Sequence, residues 1–154
     1  MLELGRSCIA REFRGSAAMF QLWSGLAQYI KQHGAEILFG TASLKGTDLT
    51  ALAGPLSLLY QRHLAPPEMQ ATSRVYQTMD LTPPDQLDRR AAMVAMPSLI
   101  KSYLRLGGVV GDGAFVDHAF NCTDVCMVMD TRALGDQQTQ RYQRPVAPRR
   151  PCDD

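Results

Sequence analysis

The chain has 154 residues, 45% hydrophobic and 20% charged, which suits one domain with its own core and the composition of ordinary soluble proteins. Its 16 basic and 15 acidic side chains leave a net charge of +1. That balance excludes the broad positive footprint of a nucleic-acid surface, so an anion must be met by local arginines. No run approaches the roughly 18 consecutive apolar residues of a spanning helix. Met1 to Ile9, carrying Glu3 and Arg6, lacks the order of a signal peptide, and a cytoplasmic protein with reduced thiols is expected.

Leu2 to Ile9 has strand character. Arg11 to Gly15 is polar and ends in glycine. Ser16 then precedes a 3.6-residue stripe of Met19, Phe20, Leu22, Trp23, Leu26, Ala27 and Ile30, which predicts a helix over 16–33 with Gly34 as its left-handed terminus. The apolar run Glu36 to Ser43 follows as a strand, giving a strand-helix-strand unit of the kind that makes neighbouring strands parallel. Thr47 or Asp48 caps a second helical stretch to Tyr60, in which Gly54-Pro55 predicts a kink or two short helices. Leu64 to Asp88, punctuated by Pro66-Pro67 and Pro83-Pro84, reads as a loop with one short strand at Val75 to Met79. Arg89 to Leu106 is helical with a restart at Pro97, in the first turn of the new helix, and stops at Gly107-Gly108.

Val109-Val110, Ala114 to Val116 and Val125 to Met129 then read as short strands separated by tight turns. The stretch beyond Gly135 is polar and then rich in proline and arginine, so residues 143–154 read as a disordered tail after a single domain over 1–142. Cys122 and Cys126, with His118 ahead of them, invite a metal reading. Their three intervening residues do not make a zinc knuckle, and small buried thiols are expected instead, with no metal site.

A strand that ends in a basic, glycine-containing loop and enters a helix turns free N–H groups and the positive end of the helix dipole toward one point. That arrangement binds phosphate. Arg11 and Arg14 add charge, Gly15 permits close backbone approach, and Ser16 starts the helix. The Gly-Lys-Ser/Thr ending of a Walker loop is absent, which excludes nucleotide hydrolysis by that device.

The run Leu2-Glu-Leu-Gly-Arg-Ser-Cys-Ile9, followed by Phe13-Arg-Gly15, Leu22-Trp23 and Leu38-Phe-Gly-Thr-Ala-Ser43, resembles the ornithine-acyl carrier protein N-acyltransferases, which start ornithine-lipid synthesis. Pro55-Leu-Ser-Leu-Leu59, His63-Leu-Ala-Pro66, Pro97 to Gly108, Gly111-Asp-Gly113 and Asp117 to Val125 match in the same order, so the resemblance covers Leu2 to about Tyr142. Through the Glu-x-x-Arg strand, here Glu3 and Arg6, such proteins also resemble the acyl-homoserine-lactone synthases. The implied fold is α/β (α+β), the C-terminal half of a GNAT-like acyltransferase with a mixed sheet flanked by helices. Family members carry a further stretch before this strand, so the resemblance implies that the N-terminal half is missing and that the first strand is an exposed edge open to self-association. The family more often has His-Pro-Asp/Glu where this chain has Ala10-Arg-Glu12.

The resemblance implies transfer of a (3-hydroxy)acyl chain from acyl carrier protein to the α-amine of L-ornithine. No permanently bound cofactor is implied; the donor is an acyl-phosphopantetheine thioester. Glu3 and Arg6 form the catalytic pair, Glu3 as the base for the amine and Arg6 as a structural or carrier-positioning partner, and an ordinary strand ion pair is the competing account of both. Leu4, Gly5, Ser7 and Cys8 belong to the backbone that receives the pantetheine amides and the oxyanion, while Arg11, Arg14, Gly15 and Ser16 hold phosphate. Tyr60 and Tyr103 are candidate proton donors to the departing thiolate, although either tyrosine more commonly belongs to a core. Lys101 and Arg105, one helical turn apart, can meet an acidic carrier protein or simply face solvent.

The enzyme is expected in the cytoplasm or in peripheral contact with the inner membrane. A lactone-signal synthase that binds S-adenosylmethionine and a non-catalytic remnant that binds a carrier or another subunit are the competing functions.

Overall fold

In Ile37–Lys45 buried and exposed side chains alternate, the period-two pattern of a strand with one face in a core. The computed structural model describes residues 1–5, 8–13 and 17–133. Its elements are β1 (Leu2–Glu3), α1 (Ala18–His33), β2 (Ile37–Lys45), α2 (Leu49–His63), α3 (Arg89–Ala95), α4 (Ser98–Arg105), β3 (Val109–Asp117) and β4 (Cys122–Asp130). The sheet runs β1-β2-β4-β3, with β1 parallel to β2 and the other two pairings antiparallel. This is the α/β class with a mixed sheet and helices that the sequence predicts.

Leu38, Ala42 and Leu44 of β2, Val125, Met127 and Met129 of β4, and Val110 and Ala114 of β3 join one buried cluster with Trp23, Leu56, Leu59, Ile100 and Tyr103 of the helices. Alternate residues of each strand thus cement sheet to helices, which is the main apolar burial in the molecule. Gly34 adopts φ 59° and its N–H closes α1 on the Ile30 carbonyl, the left-handed termination expected there. The apolar stripe of α1 is narrower than its sequence suggests. Trp23 is buried, with Leu26 and Ile30 packed beside it, but Leu22 and Phe20 are 47% and 36% exposed. Leu22 lies about 100° around the helix from Trp23, beyond the arc that one sheet covers. The expected cap Ser16 lies outside the described residues.

Asp48 caps α2 through its carboxylate, which accepts from the Thr50 N–H at 2.9 Å. The break expected at Gly54-Pro55 does not occur. Leu49–His63 is one helix with Pro55 inside it, because the adjoining Leu56, Leu58 and Leu59 are buried and their packing offsets the one backbone bond proline forfeits. A Cβ at Gly54 would lie 3.6 Å from that of Ala92, so the small residue brings α3 close. Pro97 stands at the N-cap of α4, not inside its first turn.

No full strand forms at Val75 to Met79. The chain over 64–77 instead follows the edge of β3 through single bridges, Leu64 with Val110, Thr72 with Asp112 and Gln77 with Ala114. The two short strands expected around Gly111-Asp112-Gly113 are one strand with a register shift between Val110 and Ala114. Gly113 takes φ 78° under the Tyr76 ring, a conformation and a clearance that only glycine supplies cheaply. The expected tail over 143–154 lies outside the described residues.

Candidate functional site

β1 is short because its pairing is short. Leu2 sits opposite Leu38 and Glu3 opposite Phe39, and the Leu4 N–H donates to the Phe39 carbonyl at 2.7 Å. Among the described residues no further ladder follows; of the strand expected over Leu2 to Ile9, Leu2–Glu3 pairs, Leu4, Gly5, Cys8 and Ile9 do not form strand, and Arg6 and Ser7 lie outside the described residues. At Leu4 the two backbones are at their closest: a Cβ on Gly40 would fall 2.5 Å from the Leu4 carbonyl oxygen. Gly40 is a site residue that sequence reasoning left without a role, although a glycine inside an otherwise apolar strand signals such close approach.

Residue pairing places Glu3 on the Phe39 side of the sheet, away from the helices, where its side chain is exposed. Its Oε1 lies 3.3 Å from where a Gly5 Cβ would be, so the carboxylate folds back over the bare backbone of Gly5. Leu4 turns the other way, into the helix-facing core. Cys8 is a free, exposed thiol, and Arg11 is exposed on the short 3-10 turn Arg11–Phe13. Glu3, Leu4 and Gly5 are therefore brought together at one edge, with Cys8 and Arg11 following in the loop. Arg6, Ser7, Arg14, Gly15 and Ser16 lie outside the described residues. Ala17 heads α1 without a side-chain cap bond.

The face that carries Glu3 is partly open. Ile37, Phe39, Cys126 and Val128 of the sheet, with Met69 and Ala71 of the following loop, line a cleft of about 360 Å³. Burial pushes the Cys126 thiol up, against a backbone hydrogen bond at Gly40 that lowers it; Cys126 is a protonated thiol at neutral pH. On the helix side, Tyr103 is 3% exposed and meets Trp23 edge-on at 5.2 Å and 84°. Desolvation drives its phenol up, as befits a core residue, while Tyr60 is half-buried.

Cys122 and Cys126 stand four residues apart along β4, about 13 Å by strand rise, so they cannot share one ion. The turn residues Asp117 and Asp124, for which the sequence suggests a role in the turn itself, stand closer: ligand atoms of Asp117, Cys122 and Asp124 lie within 4.8 Å of one another. The Cys122 thiol lies 3.4 Å from Asp124 Oδ1, and desolvation, with the bond and charge of Asp124, holds the thiol in its protonated form. Asp117 Oδ1 accepts from the Phe120 N–H at 3.0 Å, so these groups serve the hairpin turn at Asn121, whose φ is 51°.

Lys101 and Arg105 share a groove of about 640 Å³ with His63, Arg90, Met93, Val94 and Leu104. Lys101 Nζ donates to the Val94 carbonyl at 3.0 Å. Burial, then the Arg62 charge, lowers the His63 pKa. Among the described residues no helix is long and apolar enough to cross a membrane.

No protein-family model matches the chain, and no solved structure does. Curated relatives do. An L-ornithine N(alpha)-acyltransferase of Rhodobacter capsulatus is 54% identical over 146 residues, which are 95% of this chain and 56% of that protein. Proteins of the same name from Brucella abortus and Agrobacterium fabrum are 37% and 41% identical over 92% of this chain, covering 51% and 49% of their own lengths. The chain is thus a relative of the L-ornithine N(alpha)-acyltransferases that spans about half their length.

Proposed function

We propose that this chain carries the acyl-donor half of an N-acyltransferase that moves a (3-hydroxy)acyl group from acyl carrier protein to the α-amine of L-ornithine. The observation that supports the reading is the parallel β1–β2 pair, joined through Leu4, in a chain 54% identical to a protein named L-ornithine N(alpha)-acyltransferase. The backbone of Leu4, Gly5, Ser7 and Cys8 receives the pantetheine amides, in the manner of an added strand. Arg11, Arg14, Gly15 and Ser16 take the phosphate at the entry to α1.

Glu3 acts as the base. It accepts a proton from the ornithine ammonium, directly or through one water, and leaves a neutral amine. The amine nitrogen attacks the thioester carbonyl; a backbone N–H of the β1 turn stabilises the oxyanion. Collapse breaks the C–S bond and releases the pantetheine thiolate, which takes up the proton that the amine nitrogen loses as the amide forms. Arg6 positions Glu3 and the carrier. The outer edge of β1, beyond which no described strand lies, pairs with a second copy. The protein works in the cytoplasm, in peripheral contact with the membrane that receives the lipid.

Ornithine-dependent release of thiol from 3-hydroxyacyl carrier protein tests the reading. The wild-type chain should release thiol only with ornithine present, and Glu3→Gln should lower the rate by about 100-fold, the low end of general-base contributions. A folded wild-type sample that releases none would end the catalytic assignment.

A further inference from the structure

Two helices present the same short pattern to one groove. On α3, Arg90, Met93 and Val94 stand at i, i+3 and i+4, and on α4 Lys101, Leu104 and Arg105 do the same; that spacing puts each trio on one helix face. Both faces, with His63 at the end of α2, line the groove of about 640 Å³. Its walls are apolar and its rim is cationic. No carboxylate lines it, although the whole chain, with 16 basic and 15 acidic side chains, is nearly balanced. Among the described residues the side-chain ion pairs run from Arg132 to Glu36 and Asp130, and none reaches Arg90 or Lys101. Val94 is 73% exposed, at the corner where α3 hands over to α4, and Ala95 beside it is exposed too. Lys101 Nζ donates to the Val94 carbonyl, so one ammonium is fixed at the foot of that exposed side chain and keeps two further donors.

We infer that the α3–α4 face docks on the surface of an anionic phospholipid bilayer, with Val94 entering the interfacial layer and Arg90, Lys101 and Arg105 meeting lipid phosphates. An apolar side chain ringed by cations complements a boundary that is anionic outside and hydrocarbon inside. A helix of an acidic protein would meet the same charges. The bilayer is favoured because the apolar surface still open to water stands at the corner, in Val94 and Ala95, while Met93 and Leu104 within the groove are already half-buried. The inference deepens the peripheral membrane contact of the proposed function, and it rests on that reading for the reason to be there: an acylated amino acid is an amphiphile, and a docked protein releases it beside its lipid phase.

Sedimentation of the full chain with vesicles tests this, phosphatidylcholine alone against phosphatidylcholine mixed with phosphatidylglycerol. The mixed vesicles should carry the protein down and the neutral ones should not. Raising the salt to about 1 M, where screening acts within about 3 Å, should release it. Arg90→Glu lies in the first turn of α3, where a carboxylate suits the helix dipole. It changes the local charge by two and should weaken vesicle binding by about 25-fold, at about fivefold per charge. Val94→Ser should weaken it by roughly fivefold with the same salt dependence, since it removes apolar contact only. With fold checked by circular dichroism, both variants should match wild type in ornithine-dependent thiol release measured without vesicles.

Equal binding to the two vesicle types, binding to neither, or an Arg90→Glu variant that binds as wild type does would overturn the inference and leave the transferase reading untouched. Loss of thiol release in Arg90→Glu would assign the groove to the acidic carrier and likewise overturn it. A wild type that binds mixed vesicles but releases no thiol would end the catalytic assignment and leave the docking face standing.

Discussion

Gly40 and Leu4 are where the two parallel strands touch, and the contact is backbone against backbone. A methyl group at Gly40 would meet the Leu4 carbonyl at 2.5 Å, and because neither partner is a flexible side chain, β1 must move. Gly40→Ala should therefore cost about 1–3 kcal/mol in urea unfolding and weaken acyl-pantetheine binding by roughly tenfold, since a displaced β1 presents the wrong backbone. A variant that binds donor as wild type does would detach the site from this contact. His63 supplies a pH prediction. Its folded pKa lies below 6.5, chiefly through burial, so above that value both folded and unfolded chains carry neutral imidazole. As the pH falls below it, the unfolded chain takes up the proton first and stability is lost. Melting temperatures of wild type and His63→Asn should converge in pH dependence near neutrality and separate toward about pH 5, the wild type falling more steeply; parallel curves would show that His63 is solvated in the folded protein.

At the scale of elements, helix ends are written in local chemistry. Gly34 with φ 59° and Asp48 accepting from Thr50 each act within one turn, so residue type alone announces them. Pro55 was misleading for the opposite reason. Whether proline breaks a helix depends on what the flanking residues bury, and Leu56, Leu58 and Leu59 commit α2 to the core from the far side of the proline. Ser57 shows how the long loop after α2 is held. Its buried hydroxyl donates to the Met79 carbonyl at 3.2 Å and accepts from the Leu81 and Thr82 N–H groups at 2.9 and 2.8 Å. Ser57→Ala would strip all three partners at once, and a loss of about 2–3 kcal/mol is expected in chemical denaturation, at the upper end for buried groups left unpaired. A loss well below 1 kcal/mol would mean that the loop finds water instead.

The whole molecule presents two unequal sheet edges. The outer edge of β3 is followed by residues 64–77, with backbone bonds such as Asp112 N–H to the Ala71 carbonyl at 2.7 Å, whereas no described strand lies beyond β1. In a strand the backbone groups alternate in direction, so the Leu4 N–H that reaches β2 leaves the Glu3 N–H pointing outward. Sedimentation velocity should detect a concentration-dependent dimer, and Glu3→Pro, which deletes that outward donor while sparing the Leu4 bond, should abolish it. A dimer that persists in the variant would place the interface elsewhere. By itself the sequence determined α1 with its Gly34 end, the Asp48 cap of α2, the parallel β1–α1–β2 unit and the kinship of the chain, because period, caps and glycine punctuation act over a few residues and because motif order is a linear property. Only the tertiary structure decided that β1 pairs for two residues, that Gly40 admits Leu4, that α2 runs through its proline, and that Arg90 and Lys101 line one groove. Each of these is fixed by atoms far apart in the chain, whose distances no local pattern encodes.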